Sequence, residues 1–317
     1  MTRSSASFFT DPSEAQAALE GHCQAGLVVT GRGPFRARLT RIDLARLSLL
    51  SAEEWQPRVL FVRPPADRVV IQLAWDREPP PIWAGVSASP REVLTICSVP
   101  GAHGRTVGHC HSAAVCCSTG YLVRVGRRLV GPKFVVPPGV VRWRPAPDAL
   151  KALVALFRAA MRVTASRLEA PTSPGAARGL EQEMVEALAE CLSAAPSKPR
   201  GRREQLQTGV MARFEECLRT HPERLPSATD LSARLGLPVR TLRAYCGRHL
   251  GVAPGRYLRL RRLQRLRREL QDAHPGVTTV SALALRHGVT QPGRLAGNYR
   301  KAFGELPSET LRRSRGG

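Results

Sequence analysis

The chain runs to 317 residues, with 48 Lys and Arg against 25 Asp and Glu and a formal net charge of +23. At roughly 100–200 residues per domain the length fits two domains, and a hydrophobic fraction of 43% excludes wholesale disorder. The opening segment carries early acids and no apolar stretch of export-signal length, and no uncharged apolar run reaches the ~18 residues of a membrane span, so the chain reads as a cytoplasmic protein with no membrane partner.

The placement of the charge says more than its total. Lys133, Lys151, Lys198 and Lys301 are the only lysines, so 44 of the 48 basic residues are Arg. With abundant Ala, Gly and Pro, that skew is what a GC-rich genome produces through codon usage. Residues 1–230 carry a net +9, whereas residues 231–317 hold 18 basic and 4 acidic side chains, a net +14. A concentrated basic segment points to a polyanion partner, most often nucleic acid. Eight cysteines without even framework spacing read as free thiols.

In chain order, the first 145 residues read as strands. Phe35–Ile42 alternates apolar with polar after the turn-forming Gly31-Arg32-Gly33-Pro34, and Val59–Val62, Val69–Leu73, Val93–Cys97 and Tyr121–Val125 are short β-branched or aromatic runs. Pro64-Pro65, Pro79-Pro80-Pro81 and Pro137-Pro138-Gly139 punctuate them. Many short strands with turns between them suggest a sandwich or a barrel. At Pro145 the period becomes helical. Leu150, Leu153, Val154, Phe157 and Met161 mark one amphipathic helix, and Leu180, Met184, Val185, Leu188 and Cys191 a second. Two such helices either pack on the sheet or pair with a second copy. The small, proline-rich Ser193–Gly201 reads as a linker, and from about residue 206 the pattern is helical throughout.

Ser227-Ala228-Thr229-Asp230 predicts a capped helix start, burying Leu231 and Leu235 and ending at Gly236. Pro238 then suits the first turn of a second helix reaching His249. Leu242, Tyr245 and Cys246 would face inward, leaving Arg240, Thr241, Arg243, Ala244 and Arg248 outward. That is a helix-turn-helix plan, and it recurs. Thr279 caps a helix carrying Val280, Leu283 and Ala284, Gly288 supplies the turn, and a helix from about Gln291 buries Leu295, Tyr299 and Phe303. Gln291, Arg294, Asn298, Arg300 and Lys301 lie elsewhere on its surface. Between the units, Pro254 opens a helix with leucines inward and arginines outward; for Arg261, Arg265, Arg267 and Arg268 a solvated face or nonspecific phosphate contact is expected.

These residues resemble the AraC/XylS-type transcriptional regulators. The first unit is similar through Asp230-Leu231, Leu235-Gly236, Arg240-Thr241-Leu242, His249-Leu250-Gly251, Pro254, Tyr257-Leu258 and Arg262-Leu263. The second is similar through Thr279-Val280, Ala284, Gly288, Gly293-Arg294, Tyr299-Arg300, Phe303-Gly304-Glu305 and Pro307-Ser308. The likeness covers roughly residues 205–313, and departs from the family at Tyr245, Cys246, Leu266, Val289 and Leu295, all apolar exchanges.

The resemblance implies an α+β chain: an N-terminal cupin-like β-barrel with two helices, and a C-terminal all-α domain with two helix-turn-helix units. The corresponding division is residues 1–145 as a sensor-like domain, 146–193 as a helical dimerisation hairpin, 194–205 as a linker and 206–317 as the DNA-binding domain. It further implies a homodimeric transcription activator that binds double-stranded operator DNA, meets RNA polymerase and responds to a small-molecule effector of unspecified chemistry. Both reading helices would enter successive major-groove segments, about 34 Å apart. Arginine there suits the paired acceptors of guanine, and Asn298 and Gln291 suit adenine or phosphate.

Other chemistries fit less well. His103, His109, Cys110, His111, Cys116 and Cys117 crowd together but match no zinc spacing, and are read as a loop entering a strand, with the two adjacent cysteines as small hydrophobes. A DNA-repair methyltransferase fused to a regulator would need a paired-cysteine metal site before residue 200, and a nonspecific nucleoid protein would not need two separate turn-and-reader units. No catalytic, metal or cofactor residue is therefore assigned.

Overall fold

A computed structural model describes residues 3–20, 23–74, 81–87, 89–167, 173–193, 196–197, 201–220, 225–273, 278–287 and 292–313. Alternating apolar and polar residues build the first half. In order come β1 (Arg3–Phe9), α1 (Pro12–Glu20), β2 (Gln24–Val29), β3 (Ala37–Asp43), β4 (Leu47–Glu54), β5 (Arg58–Arg63) and β6 (Arg68–Ala74). The short β7 (Ile82–Trp83) and β8 (Val86–Ser87) follow, then β9 (Val93–Cys97), β10 (Ala102–Arg105) and β11 (Cys110–Ser118). Next are α2 (Thr119–Leu129), β12 (Gly139–Trp143), α3 (Pro147–Arg167), α4 (Pro174–Cys191) and β13 (Pro196–Ser197).

The strands form two antiparallel sheets, ordered β1-β3-β4-β11-β6-β9-β12-β13 and β2-β5-β10-β7-β8. The expected barrel is therefore corrected: among the described residues no ladder joins one sheet to the other, and the sheets face each other as an open sandwich. The period-2 pleat explains the layering. Val70, Leu94, Ile96, Ala114 and Val140 of the larger sheet pack against Leu27, Leu60, Val62, Trp83 and Ala102 of the smaller one. Their neighbours Val69, Ile71, Val93, Cys97, Val115 and Cys117 point the other way, onto Leu122, Leu153, Phe157, Met184 and Leu188 of α2, α3 and α4. The two-helix hairpin thus buries its stripe on the sheet.

The predicted strand at Tyr121–Val125 is likewise corrected, for these residues lie inside α2. Tyr121, Leu122 and Val125 are buried at i, i+1 and i+4, a helical stripe that outweighs the β-branched composition. The crowded His and Cys residues fall largely on strands. Cys116 packs toward the space between the sheets and Cys117 toward the helices. His111 Nε2 lies 2.8 Å from the Ser51 hydroxyl and His103 faces out of the smaller sheet.

The second half is helical among its described residues, apart from a lone bridge at Thr278: α5 (Arg202–Arg219), α6 (Ala228–Leu235), α7 (Val239–Leu250), α8 (Pro254–Asp272), α9 (Val280–Arg286), α10 (Pro292–Phe303) and α11 (Pro307–Arg313). It has two cores. One gathers Met211, Phe214, Leu218, Leu231, Leu242, Cys246 and Tyr257, and includes Val28 and Val59 from the outer face of the smaller sheet. The other contains Leu263, Leu266, Leu270, Leu283, Leu295, Tyr299 and Phe303 and no residue of the sandwich.

Candidate nucleic-acid interface

Local chemistry fixes the first helix-turn-helix unit. Asp230 N donates to Ser227 Oγ at 3.1 Å and Ser227 N to Asp230 Oδ2 at 2.9 Å, a reciprocal cap that satisfies two otherwise orphaned amides of α6. Gly236 takes φ +66°, where a side chain would be strained, and Leu237 N closes the turn on Ser232 O at 3.0 Å. The chain then enters α7 after Pro238. Leu242, Cys246 and Leu250 are buried, so Arg240, Arg243 and Ala244 stand exposed and Thr241 half-exposed.

The second unit repeats this with its own parts. Ala282 N donates to Thr279 Oγ1 at 3.2 Å, capping α9. Leu295, Tyr299 and Phe303 seat α10 on α8, with the Tyr299 and Phe303 rings 4.6 Å apart. Tyr299 and Thr310 share a 2.9 Å hydroxyl contact, and Thr310 donates to Glu305 at 2.8 Å, tying α11 beneath. Arg294, Arg300 and Lys301 are exposed and Asn298 is half-buried. Gly288 and Gln291 lie outside the described residues.

Between the units, α8 has 19 residues and is about 28 Å long at ~1.5 Å per residue. That length is of the same order as the ~34 Å repeat of successive major grooves. Among the described residues, no carboxylate pairs with Arg240, Arg243, Arg294, Arg300 or Lys301 within 4.0 Å, so this charge is open to an external anion.

Arg248 is placed differently. It stands at the end of α7, donating to Gln207 Oε1 at 3.3 Å and lying 3.6 Å from Glu204. Its stem packs on Gly85, where an added Cβ would sit 2.8 Å from Arg248 Cγ. It thus lies at the seam between the two halves.

The arginines expected on a solvated face of α8 are also at this seam. Arg261 pairs with Glu215 of α5, a residue 4% exposed that also lies 3.4 Å from His103 Nε2 of β10 and receives the Tyr257 hydroxyl at 3.4 Å. Burial pushes the Glu215 carboxyl up, but Arg261 and His103 outweigh it and hold it at about 2. Arg267 reaches Asp11 at 3.2 Å and Glu305 at 3.1 Å, and Gln271 donates to Asp11 at 2.8 Å. Arg256 donates to Thr30 O at 3.1 Å. Only Arg268 of the four stays exposed; Arg265 is half-buried. Sequence reasoning did not anticipate this seam. The available signal was Glu215 itself, an acid inside the apolar stripe Met211, Phe214 and Leu218.

The geometry defines a double helix-turn-helix module docked on an antiparallel sandwich. Residues 231–313 match the family described as "Helix-turn-helix domain". The XylDLEGF operon transcriptional activator 1 of Pseudomonas putida is 45% identical over 74 residues, 23% of this chain and 22% of that protein. The probable thc operon regulatory protein of Rhodococcus erythropolis is 33% identical over 104 residues, 33% of this chain and 31% of that one. The chain thus matches only about a fifth to a third of the length of these curated relatives. Among solved structures, the AraC-like transcriptional activator CuxR overlays with a TM-score of 0.41 at 13% identity, covering 88% of this chain and 99% of that one. No described helix is long and apolar enough to cross a membrane.

Proposed function

We propose that the protein is a cytoplasmic, sequence-specific regulator that binds double-stranded operator DNA and activates transcription. The observation that carries this reading is the pair of capped helix-turn-helix units with exposed basic readers at the two ends of one rigid helix. The names of the curated relatives support the direction of regulation. In this reading Arg240, Thr241, Arg243 and Ala244 of α7 and Arg294, Asn298, Arg300 and Lys301 of α10, with Gln291 ahead of it, meet bases and phosphates. Arg248 belongs to the same set only if the seam opens on DNA. The strand-rich half with α3 and α4 acts as effector-sensing and dimerising domain, RNA polymerase is the partner at the promoter, and no catalytic residue, metal or cofactor is assigned.

The test is footprinting at graded salt, followed by competition between operator and random DNA. A discrete protected site with Arg243→Ala losing about 1–3 kcal/mol on operator and far less on random DNA supports base reading. An equal loss on both assigns Arg243 to phosphate, and uniform, steeply salt-sensitive protection along the DNA overturns the reading as a specific regulator.

A further inference from the structure

The connection between the halves carries its own run of charge. The sequence has no acid between Glu190 and Glu204, and that stretch ends in Lys198-Pro199-Arg200-Gly201-Arg202-Arg203, four cations in six residues. Lys198, Pro199 and Arg200 lie outside the described residues. Gly201, Arg202 and Arg203 are exposed, and the two arginines stand in the first turn of α5. Among the described residues no carboxylate comes within 4.0 Å of either arginine. No helix-turn-helix unit includes them.

Their position ties them to the first reader. Arg240, Ala244 and Arg248 are exposed at i, i+4 and i+8, one stripe along α7. At the end of that stripe Arg248 meets Glu204 at 3.6 Å and Gln207 at 3.3 Å. Arg203 precedes Gln207 by four residues, so it stands on the same side of α5, beside the end of α7. With 12 residues α7 is about 18 Å long at ~1.5 Å per residue, whereas a major groove is about 12 Å wide. When Arg240, Arg243 and Ala244 occupy that groove, the far end of α7 and the start of α5 lie over the phosphate ridge, toward the neighbouring minor groove.

Gly201 decides between ridge and groove. It takes φ −59°, which any residue adopts, and an added Cβ would meet nothing within 4 Å, so neither backbone nor packing requires a glycine there. A bare backbone does allow close approach to another surface. Arginine beside such a point suits the narrow minor groove of A·T-rich DNA, where the negative potential is strongest. The first turn of α5 has no side-chain cap, so it straightens at small cost. We propose that Arg202 and Arg203 enter the minor groove of A·T-rich DNA beside the segment that α7 reads, with the Gly201 backbone following the groove. This inference rests on the proposed DNA binding of the helical half, and adds to it a second groove and a preference for base composition.

Fluorescence anisotropy of the full chain tests this on duplexes that keep the footprinted site and carry A·T, inosine·C or G·C flanks. Inosine lacks the 2-amino donor of guanine, so inosine·C presents the minor groove of A·T and the major groove of G·C. The wild-type chain is expected to bind A·T and inosine·C flanks about tenfold more tightly than G·C. Arg202→Ala with Arg203→Ala should cut that ratio to about twofold or less. Gly201→Val should do the same while keeping both arginines, and its side chain enters open space, so it decides the matter if the double variant does not fold. No flank preference in the wild type, inosine·C bound like G·C, or a preference unchanged by Gly201→Val overturns the groove contact. A loss from the arginine variants that is equal on all three flanks reassigns them to phosphate and overturns it as well. The same three compositions in duplexes without the site separate this inference from the reading beneath it. A preference there without any discrete footprint keeps the arm and loses the regulator, and a footprint without the preference does the reverse.

Discussion

The two helix-turn-helix units share a plan but not an anchorage. The first is bonded into the sandwich: its core includes Val28 and Val59, and its supporting helix places Glu215 between Arg261 and His103. Among the described residues the second has a core of its own residues and those of α8, and it meets the front half at Asp11, which holds Arg267 and Gln271, and where the Gly304 turn comes up against Pro34. The orientation of α7 is therefore tied to the sheet, and that of α10 to α8 and a few contacts at its edge.

The largest break in this asymmetry is expected at Glu215. Glu215→Gln leaves Arg261 largely buried without its countercharge, and a loss of about 3–5 kcal/mol in denaturant unfolding is expected. Acid should show the same residue at work. Its folded carboxyl titrates at about 2, below the ~4.3 of an unfolded glutamate. The stabilisation is thus present above pH ~4.3 and is lost as pH falls toward 2. The variant should lack that part of the acid slope.

A smaller effect belongs to the Asp11 contacts. Asp11→Ala removes both contacts to α8, while Arg267 keeps Glu305, so about 1–2 kcal/mol is expected. Amide hydrogen exchange should rise in α9, α10 and α11 and stay unchanged in α6 and α7. If both units loosen equally, the asymmetry is wrong. The smallest effects are the caps. Ser227→Ala and Thr279→Ala should each cost about 1 kcal/mol. Thermal melting should separate them, because only the Ser227 cap is reciprocal.

The readability of the sequence follows the same divide. Caps, turn glycines and leucine spacing are local signals, so Ser227, Gly236 and Thr279 mark the helix starts and the turn that the structure has, and Arg240 and Arg243 fall on the exposed face of α7. Strand pairing is not local. Cys110–Ser118 reads as small, mixed residues, yet β11 lies between β4 and β6 near the centre of the larger sheet. Tyr121–Val125 misleads because β-branched residues suit strands, while the arginines around them suit the outer face of a helix. The seam was hidden for a further reason: His103 and Glu215 lie 112 residues apart, and no periodicity links them. Arg261 and Arg267, which read as part of a wet helix face, are therefore partners of acids elsewhere in the chain.

The two-residue strand β13 sets how far the halves can part. Pro196 and Ser197 are hydrogen-bonded to Trp143 and Arg142 at the rim of the larger sheet, and α5 begins at Arg202. The five Cα-to-Cα steps from Ser197 to Arg202 can span at most about 18 Å at ~3.6 Å each. A helical half released from the seam is thus leashed within a molecular radius of its dock, at a local concentration on the order of millimolar. Opening and closing become a first-order equilibrium, and dilution of the protein leaves the closed fraction unchanged.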